Sequence, residues 1–340
     1  MLSFASAAAN ANAIFRGASD SSGPSVVPVP ATLSRPEGMR HYLVAAPPGT
    51  SPCGRALVVV LHGAGATAAQ VLGLAFPPSP LSLWLEIAMR EQLVVIAPDA
   101  GEGGWSDCFA SDARVSEKDD TDFIGALMDH AIANYNVAPE RMYLIGVSRG
   151  GWMAYAVANR LSERLAAFSV VLAGMPPIGR AKMPKTPLSA LIFGCTADPL
   201  IRYYGGKPWY ALWFAEPVRS IEDTVHAWRE LAGLPDAPDV KHFTISDKRA
   251  RTSVTRFIWG EKADGVQVGL YRIDGAGHAE PSRLKRYPRF INWLTGLQNA
   301  DLEVAEATWE FFREKRCKSQ HSYASLPTEL PLISSQSKKS

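Results

Sequence analysis

The stretch Met142-Tyr143-Leu144-Ile145-Gly146-Val147-Ser148-Arg149-Gly150-Gly151 decides the fold. It passes from a short apolar run into a G-x-S-x-G pentapeptide, and then into Met153, Val157 and Leu161, which step by four as on one side of a helix. A serine pinched between a strand and a helix sits in a tight turn. Any side chain larger than hydrogen two positions to either side would collide there, so the flanking glycines have a steric reason. This is the setting in which a serine hydroxyl is held out as a nucleophile.

Outward from this turn, apolar runs recur at Ala56–Leu61, Leu93–Ala97, Phe168–Ala173, Leu188–Phe193 and Val266–Ile273. Uninterrupted runs of this length suit strands buried on both faces. Between them lie helical patterns: Ile124, Leu127, Ala131 and Tyr135 precede the serine turn. Ser220 is an expected N-cap, with Asp223 three residues on and Ile221, Val225, Trp228 and Leu231 along one face. A last helix is expected near Leu302 to Phe312. Alternating strands and helices predict an α/β fold with a mostly parallel central sheet flanked by helices, joined by right-handed crossovers. The long interval from Asp198 to Val266 reads as an insertion.

The chain has 340 residues, 47% hydrophobic and 20% charged, which is ordinary globular usage and excludes wholesale disorder and coiled-coil arrays. Lys and Arg number 35 against 33 Asp and Glu, a formal net charge of +2, so no long-range field of the whole chain exists to grip nucleic acid or an anionic membrane. No apolar run reaches the roughly 18 to 20 residues of a membrane-spanning helix. Residues 1–38, rich in Ser and Pro from residue 18 on, are expected to be a flexible extension. Residues 317–340 are expected to be a disordered tail, leaving 39–316 as the folded domain. The four cysteines, Cys53, Cys108, Cys195 and Cys317, lack paired zinc-site spacing and read as free thiols or one disulfide.

A serine hydroxyl needs an imidazole to take its proton and a carboxylate to hold that imidazole in one tautomer. Of seven histidines, His278 in Gly275-Ala276-Gly277-His278 follows the last apolar run, where a loop can lean toward Ser148. Asp198, in the loop after Leu188–Phe193, supplies the carboxylate. The order Ser148, Asp198, His278 is that of the α/β-hydrolase fold. Backbone N–H groups must face the oxyanion of a tetrahedral intermediate. Those of Arg149 and of Ala64, in the loop Leu61-His62-Gly63-Ala64-Gly65, are the expected donors. No nucleotide-cradling glycine motif is present.

With these residues assigned, the chain resembles the α/β-hydrolase esterases of the polyhydroxybutyrate depolymerase and feruloyl esterase group, the LpqC-like proteins. The segments that carry the likeness are Val58 to Gly63, Gly104-Trp105-Ser106-Asp107-Cys108, Asp119 to Ile124, Gly146 to Gly151, Thr196 to Pro199 with Tyr204-Gly205-Gly206, and Gly275 to His278. The resemblance implies hydrolysis of small or oligomeric carboxylic esters through an acyl-serine, without metal or cofactor, and a tendency toward secreted or periplasmic proteins. A peptidase or thioesterase would use the same residues, and a non-catalytic binding module on the same scaffold is the remaining alternative. Two departures touch substrate choice: Ala279-Glu280-Pro281 follows the histidine where Thr-Trp-Pro is common, and arginine follows Ser148 where a smaller residue is usual. Trp105, Asp107, Tyr204 and Glu280 are the expected substrate contacts. The aromatic stretch 203–214 is read either as a roof over an acyl site or as packing for the insertion.

Overall fold

The computed structural model describes residues 25–49, 51–107, 119–177, 183–207, 217–244 and 251–317. Among these residues, ten strands, numbered in chain order, form one sheet in the order β1-β2-β4-β3-β5-β6-β7-β10-β9-β8. Its middle is parallel: β3 (Arg55–Leu61), β4 (Val94–Pro98), β5 (Val137–Val147), β6 (Ala167–Val171), β7 (Ser189–Cys195) and β10 (Val268–Asp274). These are the six strands expected from the apolar runs. In β3, β4, β6 and β7 every residue is buried, as strands covered on both faces require.

The helices flank this sheet: α1 (Ala68–Val71), α2 (Trp84–Glu91), α3 (Asp120–Tyr135), α4 (Arg149–Arg160), α5 (Ile221–Ala232), α6 (Arg289–Thr295) and α7 (Val304–Phe312). Two apolar layers result. On one face α3, α4 and α5 place Phe123, Leu127, Met153, Val157 and Trp228 against Leu57, Leu144 and Phe168. On the other, α2 and α7 place Trp84, Ile87, Trp309 and Phe312 against Val58, Tyr143 and Leu191. Ser220 caps α5 as expected, its Oγ accepting from the N–H of Asp223 at 2.9 Å.

One expectation needs correction. The folded unit does not begin at Met39, because β1 (Val29–Arg35) pairs antiparallel with β2 (Gly38–Ala45) over seven residues, and β2 pairs with β4. Val26 is already buried. The reason this hairpin escapes a reading for apolar runs is that exposed and half-buried residues alternate along β1, with none fully buried. The interval from Asp198 to Val266, read as an insertion between the acid and histidine loops, supplies α5 and two antiparallel strands, β8 (Asp239–His242) and β9 (Ser253–Trp259), which extend the sheet beyond β10. Cys53 and Cys195 are free thiols, Cys317 Sγ donates to Glu163 O at 2.6 Å, and Cys108 lies outside the described residues.

Candidate active site

The serine turn forms where β5 ends and α4 begins. Ser148 has φ +54° and ψ −119°, a conformation that L residues adopt at a cost of about 1–3 kcal/mol. The surroundings hold it there: its N–H donates to the Val171 carbonyl at 2.8 Å and its carbonyl accepts from Gly151 at 2.8 Å. A Cβ on Gly146 would strike the Gly150 backbone, and one on Gly150 would strike the carbonyl oxygens of Leu61 and His62. The glycines are therefore demanded by backbone proximity.

The loops after β7 and β10 are stitched to each other. Thr196 N–H donates to Ile273 O at 3.0 Å, Ala197 N–H to Ala276 O at 3.0 Å, and Gly275 N–H to Thr196 Oγ1 at 2.9 Å. This brings Asp198 and His278, eighty residues apart, into contact. His278 Nδ1 lies 2.6 Å from Asp198 Oδ2, and Nε2 lies 2.9 Å from Ser148 Oγ. The other carboxylate oxygen, Asp198 Oδ1, accepts from the N–H groups of Leu200 and Ile201, both at 2.8 Å. Serine, imidazole and carboxylate thus form one hydrogen-bonded row. In it Asp198 must accept from Nδ1–H, which leaves Nε2 free to accept from the hydroxyl.

Burial opposes a charge on His278, but the carboxylate of Asp198, by charge and hydrogen bond, and the charge of Glu280 outweigh it. The imidazole pKa is raised from its ordinary 6.5. Cys195, fully buried at the end of β7, has its thiol pKa pushed well up by burial and then by Asp198 and Glu280.

The loop after β3 approaches the serine from the other side. A Cβ on Gly63 would lie 3.5 Å from Ser148 Cβ. His62, assigned no role from sequence, organises this loop. Its Nδ1 meets Gly63 O at 2.9 Å, its Nε2 accepts from Ala100 N–H at 3.2 Å, and its own carbonyl accepts from Trp105 Nε1 at 2.9 Å. Burial lowers its pKa and so favours the neutral tautomer that makes these bonds. In a trans peptide the C=O and N–H point oppositely, so pinning the Gly63 carbonyl to His62 turns the Ala64 N–H the other way. Ala64 is exposed and Arg149 half-buried.

The residues expected at the substrate fall differently. Trp105 is buried against His62, ring centroids 4.8 Å apart, and does not line an open surface. Asp107 is buried and pairs with Arg149, Nε to Oδ2 at 2.9 Å, while Arg149 Nη2 donates to Trp105 O at 3.2 Å. The arginine after Ser148 therefore clasps the 101–107 loop, which accounts for one of the two departures. Glu280 is corrected: its carboxylate is buried and accepts from Ser79 Oγ at 2.8 Å and Tyr287 Oη at 2.9 Å, behind the histidine loop. Tyr204 is exposed and meets Tyr203 edge-on at 5.2 Å. Tyr203 is buried, its hydroxyl donating to Glu222 at 3.2 Å; Trp209, Tyr210, Trp213 and Phe214 lie outside the described residues.

A mostly parallel sheet with a serine turn at the carboxyl end of one central strand, and acid and histidine loops after two later ones, defines an α/β-hydrolase. The chain belongs to the alpha/beta hydrolase family, whose model matches residues 58–312. It is 24% identical over 260 residues to poly(3-hydroxyalkanoate) depolymerase C of Paucimonas lemoignei, covering 69% of this chain and 57% of the relative. It is 24% identical over 196 residues to feruloyl esterase B of Piromyces equi, covering 57% of this chain and 35% of the relative. The chain thus spans between about a third and three fifths of the length of these two curated relatives, and both sides of the resemblance are represented. Among solved structures, acetyl xylan esterase from Aspergillus awamori shares the fold, with TM-score 0.54, 14% identity, and coverage of 84% of this chain and 99% of that one.

Proposed function

We propose that this protein is a serine esterase that hydrolyses small or oligomeric carboxylic esters. The observation that carries the reading is the continuous row Ser148–His278–Asp198 built on a strained strand-to-helix turn. In this reading Ser148 Oγ attacks the ester carbonyl carbon as His278 Nε2 takes its proton. Asp198 stays ionised and stabilises the imidazolium. The backbone N–H groups of Arg149 and Ala64 donate to the oxyanion. Collapse of the tetrahedral intermediate breaks the bond to the alcohol oxygen, which takes the proton from Nε2. Water, activated by the same imidazole, then releases the acid and restores the serine. The names of the relatives, a feruloyl esterase and a poly(3-hydroxyalkanoate) depolymerase, support ester chemistry over peptide cleavage.

The test is covalent labelling by a fluorophosphonate together with hydrolysis of a panel of p-nitrophenyl esters, methyl ferulate and a hydroxybutyrate oligomer. The native chain is expected to label and to turn over the panel; Ser148→Ala is expected to do neither. A folded native chain that resists the probe would favour a non-catalytic binding role. Labelling that survives the substitution would assign the nucleophile elsewhere.

A further inference from the structure

Beside the histidine loop the protein exposes an apolar face that neither the core nor the proposed chemistry uses. Phe290, Trp293 and Leu294 on α6 recur at i, i+3 and i+4, the spacing of one helix side, and Leu297 follows just past the Gly296 that ends the helix. All four are exposed, Trp293 to 84%. Phe76 stacks on Phe290 at 6.3 Å and, with exposed Leu74, carries the patch onto the segment after α1. Large contiguous apolar patches of this kind mark docking surfaces. The location is specific: Thr295 O accepts from His278 N–H at 2.5 Å and Leu297 O from Gly277 N–H at 2.8 Å, so the face shares its backbone bonding with the loop that carries the imidazole.

The charge around the patch says what it meets. Residues 281–300 contain Arg283, Lys285, Arg286 and Arg289 and no Asp or Glu, in a chain whose overall balance is close to neutral. Arg286 is spent on the carbonyls of Ser282, Gln298 and Asn299, and Lys285 lies 3.5 Å from Glu86. Arg283 stays largely exposed, 3.9 Å from Glu303, and Arg289 is exposed with no ion pair among the described residues. A tryptophan and a phenylalanine standing out of a surface, with the exposed Arg289 next to Phe290 and the exposed Arg283 in the same segment, suit a boundary that is apolar within and negative at its rim. A neutral polyester would engage the rings and leave the cations without a role. A second copy would bring its own arginines against these across a two-fold axis.

We propose that this face docks the protein on an anionic phospholipid surface, with Phe290 and Trp293 at headgroup depth and Arg283 and Arg289 against lipid phosphates and carboxylates. No helix among the described residues is long and apolar enough to cross a membrane, so the contact is peripheral. The proposal stands apart from the esterase reading, because adsorption requires no turnover.

Co-sedimentation with phosphatidylcholine vesicles, with and without phosphatidylserine, tests it, using Ser148→Ala so that hydrolysis plays no part. Pelleting with the phosphatidylserine vesicles, release by salt, and little pelleting with phosphatidylcholine alone are expected. Phe290→Ser with Trp293→Ser, and separately Arg283→Glu with Arg289→Glu, should each weaken partitioning about tenfold or more. The same pairs placed in the otherwise native chain should leave Tm and the hydrolysis of water-soluble p-nitrophenyl acetate unchanged. The proposal is overturned if the protein ignores anionic vesicles at low salt, or binds neutral vesicles or hydroxybutyrate particles equally well. It is also overturned if the protein is a dimer that these substitutions dissociate.

Discussion

At the scale of single residues, the imidazole of His278 carries opposing influences whose sum is testable. Burial alone would keep it neutral, yet Asp198 and Glu280 raise its pKa above 6.5. A general base works only when unprotonated, so the acid limb of kcat/KM for a soluble p-nitrophenyl ester should have its midpoint above pH 6.5. Glu280→Gln keeps the shape and the contacts to Ser79 and Tyr287 while removing a negative charge, so that midpoint should move down with folding intact. An unmoved limb would mean that Glu280 does not act on the imidazole. The same shift couples to stability: a raised folded pKa contributes stabilisation that is complete below the unfolded value and disappears as pH rises through the folded one. Asp198→Asn removes the acceptor that fixes the tautomer, and kcat should fall by about three to four orders of magnitude while the far-ultraviolet spectrum and Tm barely change. Unaltered turnover would move the acid role to another carboxylate.

At the scale of elements, the turn between β5 and α4 depends on how closely β3 passes behind it. Gly150→Ala drives a methyl group into the carbonyls of Leu61 and His62, which belong to the end of β3 and to the loop holding Ala64. The two loops must part, so a stability loss of more than about 3 kcal/mol is expected, read as a large drop in Tm or loss of soluble protein. A native-like melt would contradict the packing. This turn was legible in sequence because glycine, serine and the apolar run of β5 all answer to one steric constraint. The parallel strands were legible for a related reason, since burial on both faces leaves runs such as Leu57 to Leu61 without a polar residue. Elements with one wet face were not. In β9 Val254 and Trp259 are buried and the four residues between them half-exposed, and in β1 the polar and Pro-containing sequence VPATLSR reads as a loop although every residue is paired. At the site, residue types and chain order pointed to Ser148, Asp198 and His278. The clasp of Arg149 on Asp107 and the burial of Glu280 against Tyr287 were hidden, because both depend on loops that meet only after the sheet has formed.

At the scale of the whole molecule, the sheet acts as a ruler that brings distant loops to one end. The β5, β7 and β10 strands are parallel, so the segments after them emerge at the same edge, and hydrogen bonds between the acid and histidine loops set their spacing. The β2 strand borders β4 on one side of this ruler and is itself covered by β1. A chain beginning at Met39 would keep most of β2 but lose all seven partners that β1 supplies. Its N–H and C=O groups would then face water along an open edge able to recruit another strand. Relative to a chain beginning at Ser25, that truncation should lower Tm by roughly 5 °C or more and raise the fraction of aggregate in size-exclusion chromatography. Because the truncated chain keeps Arg40 on β2, with its bonds to Asp99 O and to Asp120, which in turn accepts from Ser106 N–H in the loop clasped by Arg149, the surviving monomer should retain its fluorophosphonate labelling per folded molecule. Equal melting temperatures for the two chains would return β1 to the status of a dispensable extension. Lost labelling with an unchanged melt would instead tie the amino-terminal hairpin directly to the arrangement of Ser148.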